Sequence, residues 1–147
     1  MKNPKTTEER SRMMSSIRAV SKLKTLVTTE LWQREYRFRR NVKSLKETPD
    51  IAIKKYKTVI FIDSYFWHFC PIHGKIPKSN VEFWTEELMR NQQRDMEVTN
   101  HYEKVDWNIH HIWEHEIRSD FDITINKISE FIDNAKLVYK QRLSTIK

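Results

Sequence analysis

Residues 49–73, PDIAIKKYKTVIFIDSYFWHFCPIH, decide the fold. Two apolar runs, IAI at 51–53 and TVIFI at 58–62, are rich in β-branched side chains and read as strands. The polar KKYK between them is the natural place for a reversal, so the stretch reads as an antiparallel hairpin. A reversal centred between Tyr56 and Lys57 sets Asp50 directly opposite Asp63. Side chains opposed in this way have Cβ atoms roughly 4.5–5.5 Å apart, and like charges there repel. A hard divalent cation such as Mg2+ turns the repulsion into a site, because it takes carboxylate oxygens as ligands. His68 follows in the next turn of chain and is placed to act there as acid or base. The simpler alternative is equally open: an aspartate at a strand end is often a turn or capping residue. KKYK also lacks the Asn-Gly signal that pins hairpin register, and a slip of one residue sends the two aspartates to opposite faces.

Outside this stretch, composition narrows the class. At 147 residues, 38% hydrophobic and 32% charged, the chain suits one soluble domain with a single core. With one glycine it has no Gly-rich phosphate loop, and with one cysteine it has no internal disulfide. The absence of a long apolar run or signal-peptide core points to the cytoplasm. The net charge of +7 is unevenly spread, since residues 1–46 hold 13 Lys and Arg against 4 Asp and Glu. A basic first third beside an acidic site suits a polyanion and favours nucleic acid modestly over the plain alternative of a solvated basic surface.

Residues 1–20 read as a basic arm, or a short helix that orders on a partner, ahead of a single domain over 21–147. A helix is expected over 22–35 and a first strand within 36–41. CPIHGKIPKSN at 70–80 is the clearest loop, and Ser79-Asn80 caps a long helix reaching about Lys104. One stripe of that helix carries Trp84, Leu88, Asn91, Asp95, Val98 and Tyr102. Asn91 and Asp95 interrupt an apolar face, so they either look into a site or form a buried polar pair. WNIHHIW at 107–113 reads as another strand, and 121–143 as an amphipathic helix whose stripe is core or dimer packing.

In this order and spacing, RSRMMSSIR, YRF, PD at 49–50, VIF…FWH at 59–68, PKSNVEFW, RNQQRD and IWE resemble the very short patch repair (Vsr) mismatch endonucleases. These are a branch of the PD-(D/E)xK nuclease superfamily, and the likeness covers residues 10–116. It implies an α/β fold, a mixed sheet flanked by helices, and Mg2+-dependent nicking of double-stranded DNA, with Mn2+ as a substitute. By match to the motif, Asp50 is a metal-binding carboxylate, His68 the catalytic histidine, and Asp95 a residue that orients it. Asp63 stands where Vsr enzymes commonly carry a histidine, but the wider superfamily uses an acid there. Phe66, Trp67 and Trp84 match aromatics that wedge between base steps, a role that outweighs the core packing expected of them otherwise. The basic arm, with Arg12 and Arg18, would hold phosphates.

Two departures from the family pattern stand out. The glutamate that Vsr enzymes carry early in the first helix is Lys24 here. The structural zinc of the family would have to use Cys70, His73 and His115, with water or His111 as a fourth ligand, unless His73 and His115 are plain surface histidines. The sequence therefore reads as a Mg2+-dependent DNA endonuclease, with T:G mismatches as one expected target. The alternatives are an inactive DNA-binding module on a nuclease scaffold and a defence-associated nuclease indifferent to mismatches.

Overall fold

Among the described residues, four strands in the order β1-β2-β3-β4 form one mixed sheet: β1 (Arg39–Arg40), β2 (Ile51–Ile53), β3 (Thr58–Asp63) and β4 (Asn108–Trp113). This computed structural model describes residues 7–63 and 81–146. The helices are α1 (Thr7–Gln33), α2 (Val81–Lys104), α3 (Glu114–Ser119) and α4 (Phe121–Ile146). The expected mixed sheet flanked by helices is therefore what the chain builds.

The hairpin forms, but its register differs from the expected one. Ile51 pairs with Ile60, Ala52 with Val59 and Ile53 with Thr58, so Asp50 continues toward Phe61 and not toward Asp63. The cause is the turn. Lys54–Tyr56 wind into a 3-10 helix and Lys57 turns left-handed at φ 48°, moving the reversal one residue earlier. The pairing thus shifts by two residues, an even number, and both aspartates keep the same face.

β4 lies parallel to β3, with Phe61 beside His111 and Asp63 beside Trp113. A parallel neighbour requires a long crossover, which residues 64–107 supply and which contains α2. Alternation then divides the sheet into two faces. Ile51, Ile53, Ile60, Ile62 and Ile112 pack with Val27 and Leu31 of α1 and Ile125, Ile128 and Ile132 of α4. On the other face Ala52, Val59 and Phe61 pack with Val98 and Tyr102 of α2. The α4 stripe is core, since Ile125, Ile128 and Ile132 are all 0% exposed.

The basic arm is helical from Thr7 and continuous with α1, and the side chains described before Val20 are all at least partly exposed. The first strand is shorter than expected, only Arg39–Arg40. The one glycine lies outside the described residues, so left-handed turns fall to Glu35, Asn41, Glu47, Thr48, Lys57 and Asp106. No helix among the described residues is long and apolar enough to cross a membrane.

Candidate active site

A cavity of about 260 Å³ opens where the C-terminal end of β3 meets α1 and α2. Its lining includes Lys24, Asp50, Asp63, Asn91, Arg94 and Asp95. Asp50 and Asp63 are 8% and 4% exposed, so neither is a surface turn residue. The sheet explains their convergence: both lie on the α2 face, one immediately before β2 and one at the end of β3.

Each aspartate is held by the protein. Asp50 Oδ2 accepts the Ile62 backbone N–H at 2.7 Å, and its Oδ1 meets Lys24 Nζ at 2.8 Å. Asp63 Oδ2 meets His111 Nδ1 at 2.8 Å, while the other ring nitrogen of His111 lies 3.1 Å from the Thr99 hydroxyl. The ring also stacks on Phe61 at 5.4 Å between centroids. His111 is thus engaged at both nitrogens, and its place is beside Asp63, not in a zinc set. Sequence reasoning missed this role because it follows from the parallel pairing of β3 with β4. The available signal was that His111 shares one face of WNIHHIW with Trp107, Ile109 and Trp113.

On the α2 wall, Asn91 and Asp95 line the cavity, one of the two readings their break in the apolar stripe left open. Asn91 Nδ2 is buried with no hydrogen-bond partner among the described residues. A buried donor without a partner is costly, and a phosphate oxygen or ordered water would satisfy it. The opposite rim is a strained connection. Glu47 and Thr48 are both left-handed, at φ 60° and 48°, and Tyr102 Oη donates to the Lys46 carbonyl at 2.7 Å. Burial pushes the Tyr102 phenol pKa up, and the nearby Glu47 carboxylate adds to the effect.

Trp84 is only 1% exposed, so the face it would offer as a wedge is covered. It lies on the same inward stripe of α2 as Leu88, Val98 and Tyr102, which is the plain consequence of its helical spacing. Arg18 is exposed, and the side chain of Arg12 is not described. Phe66, Trp67, His68, Cys70 and His73 lie outside the described residues. His115 stacks on Trp113, with centroids 6.3 Å apart.

The donor set fits a hard cation in chemical kind. Two buried carboxylates share one cavity, and an ammonium group already rests against one of them. Among the described residues no three His, Cys, Asp or Glu side chains converge on a metal position, so remaining ligands would come from elsewhere.

A mixed sheet with paired acids at a strand end, opening toward basic helical surface, defines a nuclease of the PD-(D/E)xK class. The DNA mismatch endonuclease Vsr family matches residues 3–72. A type II nicking enzyme of Neisseria meningitidis serogroup A, V.NmeAIP, is 38% identical over 78% of this chain and 83% of its own. V.NaeI of Lentzea aerocolonigenes, also a type II nicking enzyme, is 34% identical over 74% of this chain and 68% of its own. The DNA mismatch endonuclease Vsr of Escherichia coli is 30% identical over 65% of this chain and 62% of its own. The chain belongs to the Vsr family and is a DNA endonuclease.

Proposed function

We propose that the chain is a Mg2+-dependent nicking endonuclease whose cation is held by Asp50 and Asp63. The observation that carries this reading is the pair of buried aspartates on one sheet face, opening into a single cavity beside Asn91 and Arg94. A bound divalent ion supplies Lewis-acid charge to the scissile phosphate. The chain's own groups do the rest. Asn91 Nδ2 and the Arg94 guanidinium offer donors to phosphate oxygens, favouring the charge that builds up during displacement. His68 carries the proton, with Asp95 orienting its ring. Phe66 and Trp67 supply the wedge into the duplex.

The test is nicking of supercoiled plasmid with Mg2+ or Mn2+. Wild type is expected to nick at protein concentrations below those of DNA, and Asp50→Ala to lose nicking by about 100-fold or more while still binding DNA. Undiminished nicking by Asp50→Ala removes Asp50 from the mechanism.

The Lys24–Asp50 ion pair favours a second reading, in which an ammonium replaces the catalytic ion and the chain only binds DNA. That reading predicts no nicking by wild type at any metal concentration, and a gain of nicking in Lys24→Glu. Repair and restriction-associated roles separate on substrate. A mismatch enzyme cuts T:G duplexes far faster than matched ones, and relatives are named both as mismatch endonuclease and as nicking enzymes.

A further inference from the structure

We propose that His111 and Thr99 are positioning residues for Asp63, forming a fixed link from α2 across β4 to the carboxylate. The proposal rests on the reading of Asp63 as a cation ligand. It starts from strand pairing. Parallel β4 sets His111 beside Phe61, one pair back from Asp63 on the same face. From there Nδ1 reaches Asp63 Oδ2 at 2.8 Å. Stacking on Phe61, with only 19° between the ring planes, fixes the orientation of the imidazole.

The far side of the ring is also held. The Thr99 hydroxyl lies 3.1 Å from Nε2 and stands one turn beyond Asp95 on α2. A neutral imidazole that donates Nδ1–H to the carboxylate presents Nε2 as an acceptor, and the Thr99 O–H fills it. Thr99 thereby selects the tautomer that serves Asp63. The link joins the two walls of the cavity, the sheet bearing Asp63 and the helix bearing Asn91 and Asp95.

A carboxylate that binds a cation must be held in one orientation, and outer-shell donors of this kind set that orientation. Losing one costs 10–100-fold in metal affinity or activity in general. A purely structural ion pair would instead support folding and leave metal affinity unchanged. The two roles separate in the variant His111→Phe, which keeps the ring stack on Phe61 and removes the donor. In His111→Asn, Nδ2 takes the place of Nδ1, whereas the amide nitrogen of His111→Gln reaches the Nε2 position.

The experiment measures Mn2+ binding to the full chain without DNA, by electron paramagnetic resonance of the free ion, and follows nicking as a function of Mn2+. His111→Phe and His111→Gln are expected to weaken Mn2+ binding by about 10–100-fold. His111→Asn is expected to restore it to within a few-fold, and Thr99→Val to weaken it by a smaller factor. The nicking rate at saturating Mn2+ should change less than the Mn2+ concentration needed to reach it. Wild-type Mn2+ affinity in both His111→Phe and Thr99→Val overturns the proposal and leaves the nuclease reading standing. Absence of Mn2+ binding by wild type overturns both.

Discussion

Asp50 meets the protein with both of its oxygens, one on the Ile62 N–H and one on the Lys24 ammonium. The backbone bond orients the carboxylate, and the ammonium balances a charge that is 8% exposed. A divalent ion arriving at Asp50 therefore competes with Lys24, since two cations against one carboxylate repel. Lys24→Met should bind Mn2+ several-fold more tightly than wild type and lose about 1–3 kcal/mol of metal-free stability. Calorimetric titration with Mn2+ and urea melts with chelator measure the two effects, and unchanged Mn2+ affinity would show that Lys24 does not compete. His110, one residue from the positioning histidine, has a different part. It stacks on Phe131 at 4.9 Å, and burial lowers its pKa despite the opposing pull of Glu116; His111 and Lys127 lower it further. With the folded value depressed, the unfolded chain binds the extra proton first. Stability should thus fall as pH drops below about 6.5, the ordinary imidazole value, and His110→Phe should flatten that slope in urea melts between pH 7 and 5.

At the scale of elements, the turn at 54–57 controls the site's geometry. Its 3-10 form needs Lys57 at φ 48°, a region that costs a non-glycine residue about 1–2 kcal/mol. Lys57→Gly should therefore stabilise the fold by about 0.5–1 kcal/mol after the greater entropy of the unfolded glycine is subtracted. A lower urea midpoint for that variant would mean that the lysine stem contributes more than the turn costs. Helix α4 is the opposite case, being set by its apolar stripe. Ile128 is 0% exposed among Val27, Leu31 and the isoleucines of the sheet, so Ile128→Ala should cost about 2–5 kcal/mol with an unchanged denaturant slope. Nicking at a temperature well below the melt should survive it, because α4 packs on the sheet face away from the cavity.

For the molecule as a whole, charge and site are joined through α1. Its C-terminal half is buried through Val27 and Leu31, Lys24 reaches Asp50, and the exposed Arg18 and Lys22 lie just before it. At 1.5 Å per residue, Arg18 is roughly 9 Å along the axis from Lys24, within one duplex contact region. Arg18→Ala and Lys22→Ala should each reduce the slope of log affinity against log salt by about one, measured on a matched duplex without divalent metal. An unchanged slope would place the DNA on another face.

Much of this was readable along the chain. Strands β2, β3 and β4, helices α2 and α4, the C-terminal half of α1 and the place of Asn91 and Asp95 on one stripe of α2 follow from local periodicity, which depends on neighbours a few residues apart. The shared face of the two aspartates was not legible in this way, because an odd slip in the hairpin register would have parted them, and only the turn's even shift keeps them together. Long-range packing settled the rest. The hairpin register depended on a left-handed lysine with no glycine to announce it. The pairing of His111 with Asp63 arose from a parallel contact between residues 48 positions apart. The burial of Trp84, by contrast, is what its place on the apolar stripe of α2 already implied. Local pattern dictates which residues point inward, but which of them meet is decided by strands and helices that are distant in sequence and touch only once the chain has folded.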